Sequence, residues 1–281
     1  MVEHGCITHR GNTAPTHLGK LNLKKPIQRI LIMKKLLLAT ALTSLTTAAQ
    51  AVPLINLDIG AGMWQPDYGG DLGSTETSVE ELGLEDESGN VYYATLEFPI
   101  PLIPALKVKR TELETSGEGT LSESFTFAGQ DFDVNSDVAT DLDLSHNDLT
   151  IYWGLPKFYL DVDFGVTLRQ FDGSVTVDGE FDTQEEDFDV IIPMLFADVR
   201  LDLPLTGLYG RVEGHVLSID DNSLTDITAA IGYNSDAIPL IADIEFEAGY
   251  RMMELTIDDN DLDFAANIDV SGPYLGVQLA F

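Results

Sequence analysis

One cysteine, Cys6, stands in a chain of 281 residues. A disulfide framework and a cysteine-built zinc centre are both excluded. Bases are also scarce. Lys and Arg number 15 against 47 Asp and Glu, a net charge of −32. A nucleic-acid surface needs clustered Lys and Arg, so that partner is excluded. No apolar run reaches the roughly 18–20 residues of a spanning helix. Hydrophobic residues nevertheless make up 44% of the chain, which is enough to fold rather than stay disordered.

The few bases are unevenly placed. Residues 1–51 hold seven of them (Arg10, Lys20, Lys24, Lys25, Arg29, Lys34, Lys35) and one acid, Glu3. Met33-Lys34-Lys35, the apolar run from Leu36 to Leu45 and the small residues up to Ala49-Gln50-Ala51 read as a secretory signal peptide over 33–51. Its A-x-A cleavage site uses Ala49 and Ala51. Residues 1–32 precede that signal and read as an N-terminal extension from an over-early start. The remainder, 52–281, is expected to be a single exported domain without cysteine. It keeps 8 of the 15 bases and 46 of the 47 acids, a net charge of −38.

Within 52–281 the pattern is alternation. Ile55, Leu57, Ile59, Ala61 and Met63 alternate with Asn56, Asp58, Gly60 and Gly62; Leu160, Val162, Phe164, Val166 and Leu168 alternate with Asp161, Asp163, Gly165, Thr167 and Arg169. One apolar and one polar face is the mark of a strand. Ten such segments occur, at 54–64, 91–99, 105–115, 142–153, 158–169, 190–202, 208–218, 224–233, 240–253 and 266–281. Most are long enough for a tilted strand to cross a bilayer. Linkers at 99–104, 154–157, 203–207 and 234–239 are short and carry Pro or Gly, whereas 65–90, 116–141, 170–187, 219–223 and 254–264 are mostly longer. Short turns at one end and long loops at the other predict an all-β fold: a closed up-and-down antiparallel transmembrane β-barrel of about ten strands, with eight or twelve as the alternatives. A soluble two-sheet sandwich also alternates, but its strands are shorter. Phe281 ends the chain on the lipid-facing register, and an aromatic C-terminus resembles the signal read by the bacterial barrel-assembly machinery. These features predict the outer membrane of a Gram-negative bacterium.

Sorting charge by this topology separates the signs. The five linkers of the mostly longer set hold 28 acids and no Lys or Arg. Six bases fall instead on the lumen-facing register: Lys107, Lys109, Arg169, Arg200, Arg211 and Arg251. Asp58, Glu97, Asp161, Asp163, Asp198, Asp202, Glu213, Asp243, Glu245 and Glu247 share that register. A charge in a narrow interior is costly unless paired, so an Arg/Lys–carboxylate network is expected there. Such a network fills the lumen or lines a constriction for small solutes.

The acidic linkers read as a solvated, repulsive surface, with divalent cations and lipopolysaccharide as candidate partners. Asp259, Asp261 and Asp263 have the spacing of calcium ligands, but Phe264 and Val270 stand where a calcium loop needs Gly and Glu. Glu76 to Glu87 predicts a short acidic helix with Val79, Leu82 and Leu84 on one side. No cofactor and no enzyme activity are expected. His146 and His215, the histidines of 52–281, are placed near the outer rim, and no Gly-x-Ser-x-Gly elbow is present.

Several stretches together carry a resemblance: Tyr68-Gly69-Gly70, Gly117-Glu-Gly-Thr-Leu-Ser-Glu-Ser-Phe-Thr-Phe127, Asp141-Leu-Asp-Leu-Ser-His146, Phe171-Asp-Gly173 and the terminal Phe281. The chain resembles a family of proteobacterial outer-membrane barrels marked by a Gly-Gly pair near the mature N-terminus. That resemblance implies one barrel in the outer membrane and brings no activity. The expected function is therefore a structural or surface-interaction role. A narrow passive pore is the alternative, and a rim-located hydrolase the less favoured third.

Overall fold

The computed structural model describes residues 55–72, 77–100, 102–127, 129–155, 160–179, 183–220, 222–238, 242–257 and 265–281. The signal segment with Ala49 and Ala51, the extension 1–32, and Asp259, Asp261 and Asp263 lie outside the described residues.

Ten strands form the wall: β1 (Asn56–Trp64), β4 (Gly89–Glu97), β5 (Ala105–Glu112), β10 (His146–Gly154), β11 (Leu160–Gly179), β12 (Thr183–Asp202), β13 (Leu208–Ile219), β14 (Asn222–Ile238), β15 (Ala242–Ile257) and β16 (Ala266–Ala280). Each pairs antiparallel with the next, and β16 returns to β1 from Asp58↔Ala280 to Trp64↔Tyr274. The sheet is closed, and each wall strand has a neighbour on both sides, although the upper part of β12 pairs with β11 alone. Phe281 joins the seam: its N–H donates to the Leu57 carbonyl at 2.9 Å. Each of the ten expected segments holds a strand of the wall among its described residues, in the expected order.

Alternation decides which face points out. Phe164, Val166 and Leu168 on β11, Leu195 and Val199 on β12, Val212 and Val216 on β13, and Leu275 and Val277 on β16 are all exposed on the exterior. Their in-between neighbours face the lumen. An apolar outside over a polar inside reverses the arrangement of a soluble protein and suits hydrocarbon as the solvent. The band ends where outward positions turn polar, at Asn90, Arg110, Asn147, Gln170 and Asp189 on five successive strands. The Gln170 amide donates to Asp189 Oδ1 at 3.0 Å along this ring.

The long-loop end departs from expectation. Much of 65–90, 116–141 and 170–187 is sheet rather than loop. β11 and β12 are 20 residues each and rise well past the polar ring. Beyond Gln65-Pro66, β2 (Asp67–Leu72) continues along β16, and β3 (Thr77–Ser78) folds back on it. Above β5 and β10 stand β6 (Glu114–Thr120) and β9 (Asp137–Asp143), which pair with each other while β9 also pairs β11. β7 (Phe125–Phe127) and β8 (Gln130–Phe132) make a hairpin at the tip. These segments carry Gly, Ser and Asp, which read as loop. They are strands because neighbouring strands supply their backbone partners and because Val138, Leu142, Val175 and Val177 alternate onto a buried face.

The helix expected over 76–87 is a correction. It is reduced to one turn, closed by Leu82 N–H on the Ser78 carbonyl at 3.3 Å. Val79 and Leu82 are buried as expected, and the turn packs on β6. A Cβ on Gly117 would meet the Gly83 carbonyl oxygen at 1.8 Å, so only glycine lets the two backbones approach.

Two of the motif stretches meet at the kink between β9 and β10. Ser145 N–H donates to Asp143 Oδ1 at 2.8 Å, and Ser145 Oγ accepts from Leu113 N–H at 3.0 Å. Phe171 stacks on the His146 ring, centroids 5.2 Å apart. The Gly-Gly pair is unequal. Gly70 has φ +99°, and an added Cβ would lie 1.9 Å from the Asn267 carbonyl oxygen; Gly69 has ordinary space. Gly70→Ala is expected to destabilise the barrel by about 1–3 kcal/mol, and Gly69→Ala by well under 1 kcal/mol. Urea midpoints of the two variants in mild detergent check this, and equal midpoints would remove the special role of Gly70.

Candidate functional site

The lumen gathers the charge. Its deepest layer is built on Asp226 and Asp148, which β14 and β10 turn inward beside Arg169 of β11 and Arg251 of β15. Arg169 donates to Asp148 through Nε at 2.7 Å and Nη2 at 2.8 Å, and to Asp226 through Nη2 at 2.6 Å. Arg251 grips the same Asp226, Nε to Oδ1 at 2.9 Å and Nη2 to Oδ2 at 2.7 Å. Its guanidinium also lies 4.4 Å from the centre of the Trp64 ring. Arg169 is 0% exposed and Arg251 2%. One carboxylate thus bridges two fully buried guanidiniums, with two-point geometry that isolated surface pairs lack.

A second hub lies toward the short-turn end. Glu213 of β13 accepts from Lys107, from Lys109 at 3.0 Å and from Arg211. Lys109 also reaches Asp148 at 3.5 Å, which links the two hubs. Arg211 is held by Asp198 at 2.7 Å, and Glu247 lies 3.4 Å away. Below it Arg200 makes a two-point contact with Glu245 at 2.8 and 3.0 Å and lies 3.6 Å over the Tyr209 ring. Tyr209 Oη lies 3.1 Å from a carboxylate oxygen of Glu245 and of Glu247, its one proton shared between them. The six inward bases therefore meet six buried acids: Asp148, Asp198, Glu213, Asp226, Glu245 and Glu247. Charge balance is local and nearly complete, as a low-dielectric interior demands.

Both histidines lie in this network, not at the rim where they were expected. The rim is higher because the strands run on above it. His146 is 0% exposed and His215 1%. His146 Nδ1 donates to the Leu144 carbonyl at 2.9 Å, leaving Nε2 to accept from Arg251 at 3.4 Å. His215 Nδ1 is 2.9 Å from Thr167 Oγ1, which in turn is 2.8 Å from Thr150 Oγ1. Both rings are fully engaged and far from bulk water.

Above the charged layers the interior turns apolar. Val91, Phe171, Leu224, Met253, Leu255, Ile268 and Val270 form one buried cluster with Leu142, Val175 and Val177. Tyr68 of β2 packs against it, and burial, with Glu87, Asp86 and Asp143 adding to it, pushes the phenol well above its usual range. At the opposite end a polar vestibule of about 260 Å³ is lined by Asp58, Glu97, Asp161, Asp163, Asp202 and Arg200 among others.

No protein-family model matches the chain, and no curated protein does. Solved structures similar to it are outer-membrane barrels. The attachment invasion locus protein Ail of Yersinia pestis aligns at 10% identity and a TM-score of 0.33, over 81% of this chain and 99% of that one. The transport unit of the autotransporter AIDA-I from Escherichia coli aligns at 10% identity and a TM-score of 0.37, over 82% and 91%. A major outer membrane protein from Thermus thermophilus gives 11% identity and 0.30, over 81% and 99%. Scores this low carry no weight for function, and the barrel rests on its own strand pairing.

Most residues expected in the lumen network are there. Lys107, Lys109, Arg169, Arg200, Arg211, Arg251, Asp198, Glu213, Glu245 and Glu247 are joined as described. Glu97 accepts from Tyr152 at 2.8 Å, and Asp161 and Asp163 line the vestibule. Asp243 is the correction: it is exposed at the start of β15, one position from the strand's end, where the wall no longer encloses it. Asp148 and Asp226 were not expected. Their signal was legible in the alternation of His146, Asp148, Thr150 and Tyr152, and of Asp226, Thr228 and Ala230, as inward faces.

Proposed function

We propose that this chain is an integral outer-membrane β-barrel of a Gram-negative bacterium whose lumen is closed by the charge network and whose work is done at its outer surface, without catalysis. The observation that carries this reading is the Arg169–Asp226–Arg251 layer inside a wall with an apolar exterior. A cluster so fully paired and buried is a filling, not a conduit: ions would have to break two-point guanidinium contacts to pass. The long-loop end supports the surface role. Glu85, Asp86, Glu87, Asp131, Asp133 and Asp172 are exposed there. Their partner class is the phosphorylated lipopolysaccharide of the outer leaflet, bridged by divalent cations. The C-terminal strand ending in Phe281 serves recognition by the barrel-assembly machinery. Membership of the Gly-Gly-marked barrels is part of the same reading, and the backbone need for Gly70 supports it.

Purified protein in planar bilayers is expected to give no reproducible single-channel steps. Regular steps would overturn the closed lumen and favour the narrow-pore reading. Binding to lipopolysaccharide is expected with Mg²⁺ and to be lost on chelation; retention after chelation would exclude cation bridging.

A further inference from the structure

The wall is not evenly zipped. β12 pairs with β11 all the way from Leu160↔Leu201 to Asp178↔Thr183. Its pairing with β13 covers only Leu195↔Val216 to Asp202↔Tyr209. Above Leu195 the two strands part, while β13 stays with β14 up to Ile219↔Asn222. Pro193 stands at the parting point. A proline offers no N–H to a ladder, and within sheets it sits at edges.

The parted strands expose residues that face inward. Val190 on β12 and Ile219 on β13 are 42% and 54% exposed, although the same register lower down is buried at Met194, Phe196 and His215. Behind them lies a cavity of about 620 Å³, with Phe171, Leu224, Leu255 and Ile268 in its lining. The cavity meets the charge network through Phe171, which lines it and packs on His146. The gap begins inside the apolar exterior band, beside Leu195 and Ile191, and continues past the polar ring at Asp189, because β12 has no β13 partner above Leu195. Its lower part therefore faces the outer edge of the hydrocarbon, continuous with the lipid-facing surface.

We propose that this cavity is a binding site for a small uncharged hydrocarbon that enters sideways from the bilayer between β12 and β13. Size and lining fit an apolar guest. Charge selects against an anionic one: Asp187 and Asp189 stand at the mouth, and no described lining residue is Lys or Arg. A carboxylate or phosphate would meet repulsion without a counter-charge. The guest has no onward route through the paired layer below, so the site holds its ligand at the outer leaflet. The inference rests on the membrane placement proposed above.

The cysteine-free sequence of 52–281 permits a direct test. Ala266→Cys, buried in the cavity lining, carries a trifluoromethyl label read by fluorine NMR in lipid nanodiscs. Titrated n-octane is expected to shift this resonance saturably, with octanoate at least about tenfold weaker. Val212→Cys, on the lipid-facing surface, reports bilayer partition alone and is expected to drift without saturation. Val190→Trp at the mouth is expected to abolish the saturable shift. If the cavity label merely follows the Val212 control, the site does not exist. Equal response to octanoate overturns the neutral ligand, and an unchanged response in Val190→Trp overturns the lateral entry. Should Ala266→Cys fail to fold, Leu217→Cys at the edge of the gap takes its place. Gel mobility with and without boiling tests the barrel in the same samples, so loss of the barrel and loss of binding are read separately.

Discussion

Asp226→Asn is expected to cost about 3–5 kcal/mol, enough to remove most of the folded barrel, because it leaves Arg169 and Arg251 buried beside one another with their shared carboxylate gone. Arg169 keeps Asp148, but among the described residues Arg251 keeps Thr111 Oγ1 at 3.3 Å, His146 and the Trp64 ring, none of them a carboxylate. The measurement is the urea dependence of folding into vesicles, followed by the heat-modifiable band on gels. Asp243→Asn is the matched control and is expected to stay within about 0.5 kcal/mol, since that carboxylate is exposed. Adding Arg251→Met to Asp226→Asn is expected to recover part of the loss, because the uncompensated charge leaves with it. A single variant as stable as the parent would show that the layer is not a sealed ion-pair core. No recovery in the double variant would mean that shape rather than charge is at stake.

The second large effect lies on the other face of the wall. Val212→Arg puts a guanidinium at the middle of the apolar band, at a side chain 48% exposed on the exterior. In a bilayer this is expected to cost about 2–4 kcal/mol, whereas Ser218→Arg, at the polar boundary of the same strand, is expected to cost about 0–1 kcal/mol. Folding into vesicles of matched thickness gives both values. A surface facing water would accept either arginine almost equally, so equal costs would sink the membrane barrel and return the chain to a sandwich. Asp226→Asn and Val212→Arg probe the same strand logic from opposite sides: one removes a needed charge from inside, the other adds an unwanted one outside.

The barrel was legible because its two faces differ at every second residue. Leu160 to Arg169 states in ten positions which side meets lipid and which meets the lumen, and the same signal recurs through β16. The inward bases were legible for the same reason. Asp148 and Asp226 share the inward face by alternation, but alternation does not say which bases they meet. Only the wall's curvature shows that Asp226 is within reach of two arginines from different strands. The histidines were misplaced by a related error. The chain of His146 continues upward as β9, paired with β11, in stretches whose Gly, Ser and Asp have no strand preference of their own.

Local order was thus the sequence's own contribution: strand, turn, face and the sorting of acids to one end follow from side chains acting on their own backbone and solvent. Contacts between strands far apart in the chain were decided by the tertiary structure. Arg251 and Trp64, Lys109 and Glu213, and the parting of β12 from β13 at Pro193 all depend on register and closure. Alternation has a period of two, so it states which face a residue takes but not how high on the wall its partner stands. Height is set only when the ring closes and each strand's backbone groups find the next.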